Sequence, residues 1–282
     1  GIRSYHRWYM IPTYWPKTQQ ELASYSTQHL DQVAESVERY VFNKLLPHGF
    51  IPILPPVLVK SETMKGMGKA KFIEDGDAYY LPDDDLYLVG TAEDSIGPFH
   101  ANENLSVEDE PRRYIGFSNA FRREAGAYGK DMKGIFRLHQ FDKAEMFSFT
   151  KPEDSIEEND FLLKMQEEIM QGLELPYRVV HICTGDMGFT ATNQYDVEAW
   201  LPSEGKYRES HSCSNTTDFQ SRGLNIKTSE GEFAHMLNAT GAAMRILVYI
   251  LENYQTKDGG VKIPKVLQSY VGKKEIKKEV VS

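Results

Sequence analysis

The sequence is short of cysteine and has no long apolar run. Two cysteines among 282 residues cannot build a disulfide framework, and such sparing use is typical of proteins of a reducing cytosol. No apolar stretch reaches the roughly 18 residues that a membrane helix requires, and the chain does not open with a secretory signal pattern. We therefore expect a cytoplasmic protein.

The sequence also has fewer basic than acidic residues. The chain carries 32 Lys and Arg against 41 Asp and Glu, which gives a net charge of −9. Phosphate backbones are held by clustered Lys and Arg, so this balance argues against the chain gripping nucleic acid alone, although a local basic face remains possible. With 40% hydrophobic residues the chain can bury one large core.

Hydrophobic periodicity divides the chain into an aromatic, irregular lead-in at residues 1–17 and one domain at residues 18–282. It predicts three helices at residues 18–46, 153–175 and 242–254, and strands at residues 177–183, 195–201 and 233–237. Prolines interrupt a β-like run at residues 49–58, which we expect at a sheet edge or an interface. Helices and strands mix without βαβ regularity, so we predict an α+β fold with a mostly antiparallel sheet flanked by helices.

The most informative segment, residues 121–145, reads FRREAGAYGKDMKGIFRLHQFDKAE. We interpret it as two antiparallel strands joined by a long, polar, glycine-rich loop. Arg137, Phe141 and Glu145 are spaced by four and would share one strand face, at steps of roughly 13 Å. A cation, an aromatic ring and an anion at that spacing suit a phosphate, a purine and an amino acid laid end to end.

Arg122, Arg123 and Glu124 precede this loop, and Arg122 and Glu124, two positions apart, would share one strand face. The planar guanidinium matches phosphate oxygens, whereas the simpler alternative is a surface ion pair. Phe141 has polar neighbours and suits stacking on adenine, although core packing is the commoner role of a phenylalanine in a β-rich chain. We assign His139 to a structural role.

Other segments carry weaker signals. Thr91 and Glu93, placed on one strand face, could hold a buried ammonium; an ordinary solvated strand end is the alternative. Glu209 and Ser212 could hold Mg²⁺, which prefers oxygen ligands, but only if the strand bulges between them. Arg245 follows a run of small residues that would let a ligand approach the backbone closely.

A zinc site is a further reading. His181 and Cys183, with His211 and Cys213, form two H-x-C steps that could present four ligands. The spacing is unlike that of a zinc finger, and we do not favour it.

Several long motifs occur in a consistent order: TAE, FRREAG-x2-GKD, R-x-HQFDK-x-E, CTGD-x-GF, YD-x-E-x-WLP, SCSN and LENYQ. Together the sequence resembles the seryl branch of the class II aminoacyl-tRNA synthetases, from about residue 49 to the end. The resemblance implies a class II synthetase core that makes seryl-adenylate from L-serine and ATP with Mg²⁺. It implies a homodimer through residues 49–58, and transfer to tRNA(Ser) in the full-length enzyme.

The resemblance also implies roles for residues, with Arg122 and Arg245 as the catalytic pair. ATP would be bound by Arg122, Arg123, Glu124, Arg137, Leu138, Phe141, Glu209, Ser210, His211, Ser212 and Arg245. Serine would be bound by Thr91, Ala92, Glu93, Arg122, Glu145, Asn238 and Thr240. Glu209 and Ser212 would hold the metal.

The sequence departs from the family pattern in three places. Nothing matches the N-terminal helical arm that grips tRNA, so we expect weak or no tRNA binding by this chain. Arg245 lies seven positions after Asn238 rather than eight, and His211 occupies a slot that is usually small or aliphatic. Two alternatives therefore stay open, an armless paralogue that makes an aminoacyl-adenylate for another acceptor and a non-catalytic dimer.

Overall fold

A computed structural model describes residues 27–124, 136 and 138–277. Within these residues the helices are α1 Thr27–Leu45, α2 Ser61–Gly66, α3 Ala70–Glu74, α4 Glu93–Ile96, α5 Ser155–Gly172, α6 Phe219–Leu224, α7 Ile246–Asn253 and α8 Gln268–Val271. The long strands are β1 Phe50–Ile53, β6 Arg112–Phe121, β7 Gln140–Thr150, β8 Tyr177–His181, β9 Asn193–Leu201, β10 Lys206–Asn215 and β12 His235–Ala243. The short strands are β2 Leu58–Lys60, β3 Tyr80–Leu81, β4 Leu86–Leu88, β5 Asn104–Leu105, β11 Lys227–Thr228, β13 Val261–Lys262 and β14 Glu275–Ile276.

The seven long strands form one sheet in the order β1-β6-β7-β12-β10-β9-β8. Only β1 and β6 run parallel, and the other neighbouring pairs are antiparallel. The predicted α+β architecture, with a mostly antiparallel sheet flanked by helices, is therefore confirmed.

The sheet has one face packed against helices, because side chains alternate along each strand. Ala144 and Met146 of β7 belong to the same buried cluster as Leu162 of α5 and Tyr249 of α7. Val37 of α1 joins it. Burial of these apolar surfaces is the main stabilising term, at roughly 25 cal/mol per Å² removed from water. The remaining face of the central strands is left for the polar side chains described below.

Within the described residues, the predicted boundaries of the helices agree with the structure to within a few residues. The described part of the first helix ends at Leu45, as expected, and the second helix spans Ser155–Gly172. The last predicted helix begins later than residue 242, because β12 continues through Ala243 and helix α7 begins at Ile246. The proline-interrupted run divides into β1 and β2, and β1 lies at the edge of the sheet.

Parts of the prediction concern residues outside those described, namely the lead-in at 1–17, the start of the first helix, Arg137 and most of the loop between β6 and β7. In the described part of the chain, no helix is long and apolar enough to cross a membrane.

Candidate active site

The open face of the sheet collects polar side chains from adjacent strands. Residues directly opposite each other in an antiparallel pair project to the same face. Thr240 of β12 is paired with Glu145 of β7, and Asn238 of β12 is paired with Ser214 of β10. Phe141, four residues before Glu145 on β7, shares the face with it, as predicted.

A β-bulge brings Glu209 and Ser212 to this same face. The pairing register between β10 and β9 shifts between Glu209 and His211, so one extra residue, Ser210, enters β10. Ser212 is then opposite Asp196, and Glu209 is opposite Glu198 two residues farther along β9. The condition that the sequence set for a joint role of Glu209 and Ser212 is met.

Helix α7 and the residue before it hold the bulge in place. Tyr249 donates its hydroxyl to the carbonyl oxygens of Arg208 and Glu209, at 3.1 Å each. Arg245 Nη1 donates to the Glu209 carbonyl at 3.2 Å and lies 3.3 Å from Glu209 Oε1. Arg245 therefore lies at the polar face although it follows Asn238 by only seven positions. The register of β12 shifts between Thr240 and Ala242, and this shift offsets the shorter spacing.

Phe141 and two arginines line a cleft of about 340 Å³ that is open to solvent. Its lining consists of Arg122, Glu124, Phe136, Leu138, Phe141, Ala243, Met244 and Arg245. The Arg122 guanidinium lies over the Phe141 ring, with 5.4 Å between Cζ and the ring centroid. The phenylalanine is only partly buried, so the ring is available for stacking rather than sealed in the core. The cleft therefore offers an aromatic face and two guanidinium groups to a ligand from the solvent side.

The placement of Glu93 on a strand was wrong. Strand β4 ends at Leu88, and Glu93 begins the short helix α4. Its carboxylate is buried, accepting from Gln220 Nε2 at 2.8 Å and from Lys69 Nζ at 3.1 Å. Arg122 Nε donates to the Gly90 carbonyl at 3.2 Å, which links this segment to the cleft that Arg122 lines.

Glu93 is part of a buried cluster of charges with Asp94, Glu145, Lys69 and Lys143. Lys69 Nζ lies 3.4 Å from Asp94 Oδ1, and Lys143 Nζ lies 2.6 Å from Glu145 Oε2. Three carboxylates and two ammonium groups leave one formal negative charge. Sequence reasoning missed both lysines, although Lys143 was recognisable as lying two residues from Glu145 on the same strand.

Burial and charge act against each other on the pKa of each carboxyl in this cluster. For Glu93, burial raises the pKa, but Lys69, Gln220 and Lys143 together hold it below its usual range. Burial dominates for Asp94 and Glu145, whose pKa values are raised. Lys69 has its pKa raised because the neighbouring carboxylates outweigh the effect of burial. The ammonium of Lys143 also donates to Thr91 Oγ1 at 3.2 Å.

The other predicted site residues differ in their relation to the cleft. Arg123 is exposed, with its guanidinium 6.0 Å from the Tyr79 ring, and Glu124 leaves the strand at a φ of 56°. Both Ser210 and Ala92 are buried. Because β6 ends at Phe121, the expectation that Arg122 and Glu124 share a strand face was wrong, although both line the cleft.

His211 faces the helix-covered side of the sheet rather than the polar side. The bulge turns its ring inward, where Nε2 donates to the Gly241 carbonyl at 3.2 Å. Burial lowers the pKa of His211 to about 4, so the ring is neutral at pH 7. The structure therefore gives the His211 side chain no contact with the cleft.

The strand geometry excludes a zinc site formed by the two H-x-C steps. Tyr195 of β9 is paired with both His181 and Cys213, so a strand lies between these two residues. Two strand spacings amount to roughly 10 Å, too far for one tetrahedral ion. Within the described ranges, no three His, Cys, Asp or Glu side chains are grouped closely enough to hold a metal.

Comparison with known proteins agrees with this geometry. Residues 79–254 match the family model described as the tRNA synthetase class II core domain (G, H, P, S and T). A serine--tRNA ligase of Dictyoglomus thermophilum is 48% identical over 244 residues, which is 85% of this chain and 57% of the relative. The chain thus spans about half the length of the curated relatives it matches.

Solved structures give the same result. The seryl-tRNA synthetase of Pyrococcus horikoshii, complexed with ATP, superimposes with a TM-score of 0.85 at 44% identity, over 89% of this chain and 57% of that one. The cytoplasmic serine-tRNA ligase of Naegleria fowleri, in complex with AMP, gives a TM-score of 0.84 at 40% identity, over 89% and 61%. With the family match covering more than half of its residues, this chain belongs to the family of class II tRNA synthetase core domains.

Proposed function

We propose that this chain activates L-serine with ATP, giving seryl-adenylate and pyrophosphate, and is the catalytic part of a serine--tRNA ligase. The observation that carries the proposal is one continuous polar face. The cleft at Phe141 and Arg122 is linked, through the hydrogen bond from Arg122 to Gly90, to the charge cluster around Glu93 and Glu145. Its two ends suit a nucleotide and an amino acid joined end to end.

At the nucleotide end, adenine stacks on the partly exposed ring of Phe141. Arg122 contacts the α-phosphate, and Arg245, which lines the same cleft, contacts the γ-phosphate. Glu124 and Leu138 also line this cleft and bound the adenine site. Arg123 and Arg137 belong to the same assignment through the resemblance alone.

At the amino-acid end, the substrate ammonium completes the charge of the buried cluster. With all five groups ionised the cluster has one excess negative charge, which one additional cation neutralises, and Thr91 and Glu93 supply the oxygen atoms that receive it. Glu145, Asn238 and Thr240 lie on the adjoining strands and surround the substrate hydroxyl. A site that hydrogen-bonds this hydroxyl rejects alanine by up to about 10⁴-fold, while threonine is excluded by its extra methyl group.

The chemistry is in-line displacement at phosphorus. A carboxylate oxygen of serine attacks the α-phosphorus of ATP, the bond between the α-phosphorus and the bridging oxygen breaks, and pyrophosphate leaves with the electron pair. Arg122 spans both reactants and neutralises charge that develops on the α-phosphate. The chain contributes positioning and electrostatic stabilisation rather than a covalent nucleophile.

Bound Mg²⁺ would supply charge neutralisation to the ATP phosphates, and Glu209 and Ser212 would hold it. Glu209 and Ser212 fit this ion, because the bulge places a half-exposed carboxylate and a hydroxyl on the face that carries Arg245. Both are hard oxygen donors, and Asp196 opposite Ser212 adds another. Two or three such groups, rather than a complete protein cage, are what a phosphate-borne Mg²⁺ requires.

The proposal extends to a homodimer formed through residues 49–58. Strand β1 is an edge strand of the main sheet. Two apolar side chains there are exposed, Ile51 within β1 at 47% and Leu54 directly after it at 84%. Exposed apolar groups on an open sheet edge favour a partner chain. Transfer of serine to tRNA(Ser), in the cytoplasm, belongs to the longer protein whose catalytic part this chain represents.

Serine-dependent exchange of pyrophosphate into ATP tests the function. We expect exchange with serine and little with alanine or threonine. Arg122→Ala should lower the exchange rate about 10²-fold or more, the scale of one preorganised charge contact. The matched control is Arg39→Ala, an exposed arginine on helix α1. Absence of serine-dependent exchange in the unmodified chain would exclude the function.

A further inference from the structure

Two phenylalanines form an exposed aromatic pair that the proposed adenylate site does not use. The rings of Phe189 and Phe219 meet edge to face, with centroids 5.7 Å apart and an interplanar angle of 87°. Phe189 is 74% exposed and Phe219 is 37% exposed. Exposing two large aromatic side chains together is unfavourable in water and is typical of a binding surface.

The pair lies against the amino-acid end of the proposed site. Phe219 directly precedes Gln220, whose amide donates to the Glu93 carboxylate at 2.8 Å. On the other side, a Cβ built on Gly68 would lie only 2.6 Å from the Phe219 ring, and the next residue, Lys69, pairs with Glu93. Two separate chain segments therefore tie the aromatic pair to Glu93.

The cleft lined by Phe141 contacts the other end of the chain segment that carries Glu93. Arg122 contacts Gly90, whereas the contacts of Gln220 and Lys69 are made three residues later, at Glu93. Neither Phe189 nor Phe219 is among the residues that line the cleft with Phe141. The pair is thus a second aromatic surface, separate from the one assigned to the adenine of ATP.

Cationic side chains occur on helix α6, which begins at Phe219, and on the short helices α2 and α3 that flank Gly68. Lys65 and Lys71 are exposed, and Arg222 is exposed while pairing with Asp218 at 3.2 Å. Helices α2 and α6 touch through their backbones, because a Cβ on Gly223 would collide with the Gly66 carbonyl. In a chain with a net charge of −9, these side chains offer local partners for phosphate groups.

We propose that Phe189 and Phe219 form the stacking surface for the 3′-terminal base of the RNA that accepts the activated amino acid. This inference rests on the proposed function, because it concerns the second step at the same site. The exposed face of Phe189 is free to stack on any base, and single-stranded ends bind proteins through such aromatic surfaces next to basic side chains.

The location suits the chemistry of transfer. A ribose hydroxyl of the terminal nucleotide attacks the carbonyl carbon of the aminoacyl-adenylate and forms an ester bond. The bond from that carbon to the phosphate oxygen breaks, AMP leaves with the electron pair, and the hydroxyl proton passes to the departing phosphate. The base must therefore be held beside the amino acid and away from the cleft that AMP still occupies.

The test uses this chain and a tRNA(Ser) transcript that carries 2-aminopurine as its 3′-terminal base. The fluorescence of 2-aminopurine changes when the base stacks, so titration reports the contact independently of catalysis. The tRNA binds this chain weakly, so the titration extends to high chain concentration, where we expect a saturable change with the unmodified chain and with Phe189→Trp. With Phe189→Ala we expect its loss, or a 5- to 100-fold weaker response. Ile156→Ala, a similarly exposed apolar residue on α5, should behave as the unmodified chain.

Two activity measurements separate this inference from the proposed function. Phe189→Ala should keep normal serine-dependent pyrophosphate exchange, while single-turnover transfer of serine to the tRNA should slow by about 5- to 100-fold. Fluorescence changes that are equal in the unmodified chain and Phe189→Ala, or absent from both, would overturn the aromatic surface whatever the exchange assay shows. Loss of exchange in the unmodified chain would instead overturn the proposed function.

Discussion

Arg245 and Glu209 are joined by an ion pair in which Arg245 Nη1 lies 3.3 Å from Glu209 Oε1 and 3.2 Å from the Glu209 carbonyl. The carboxylate side chain is half-exposed, at 51%, so this pair is worth at most about 1 kcal/mol. Each partner is assigned to the ATP phosphates or their Mg²⁺. The pair therefore pre-positions two groups that ligand binding can separate at small cost.

Arg245→Gln tests this relationship. Removing the guanidinium should lower the pyrophosphate exchange rate by about 10²-fold, because one phosphate charge is no longer neutralised. Thermal stability should change little, since the lost ion pair is solvent-screened. A large fall in melting temperature with normal exchange would show that Arg245 serves only to hold the bulge.

Phe141 should affect ATP more than serine. Phe141→Ala removes the stacking surface, and we expect the KM for ATP to rise by about tenfold while the KM for serine changes little. Phe141→Trp keeps an aromatic face and should restore the KM for ATP. Equal effects of Phe141→Ala on both substrates would contradict the assignment of this ring to adenine.

Lys69 should be important for stability. Lys69→Met leaves Glu93 and Asp94 buried without their nearest cation, which typically costs about 3–5 kcal/mol in the free energy of unfolding. Lys71→Met, two positions away and exposed, is the matched control. Urea unfolding at pH 7 measures both, and equal midpoints for the two variants would contradict the buried cluster.

The sign of the pH dependence follows from the pKa of Glu93. With Lys69 present this pKa lies below its usual range, so the pair stabilises the fold above the unfolded pKa, and the contribution is lost as pH falls. Without Lys69, burial raises the folded pKa and stability falls as pH rises through the unfolded value. The difference between Lys69→Met and the unmodified chain should therefore narrow from pH 7 toward about pH 4.

The two cysteines should differ sharply in reactivity. Cys183 is exposed, whereas Cys213 is fully buried and burial raises the pKa of its thiol. The thiolate is the reactive form, so Ellman's reagent at pH 8 should modify one thiol per native chain quickly and both after unfolding. Cys183→Ser should leave no fast-reacting thiol. Rapid modification of both thiols in the native chain would contradict the burial of Cys213.

The local sequence pattern was sufficient to place some of the site residues, and others could not be placed from it. Alternation along β7 placed Phe141 and Glu145 on one face, because that periodicity is a property of the strand itself. It could not place Glu93, whose contacts with Gln220 and Lys69 come from sequence separations of 127 and 24 residues. The bulge at Ser210 likewise turned the side chain of His211 away from the polar face, because one inserted residue exchanges the two faces of a strand.

Binding of a non-reactive seryl-adenylate analogue tests most directly whether one polar face holds the nucleotide and the amino acid together. In calorimetric titration, we expect seryl-sulfamoyl-adenosine to bind at least about 100-fold more tightly than either ATP or serine, because one ligand occupies both ends of the site. Arg122→Ala should remove most of that gain. Binding of the analogue no tighter than that of ATP alone would contradict the account.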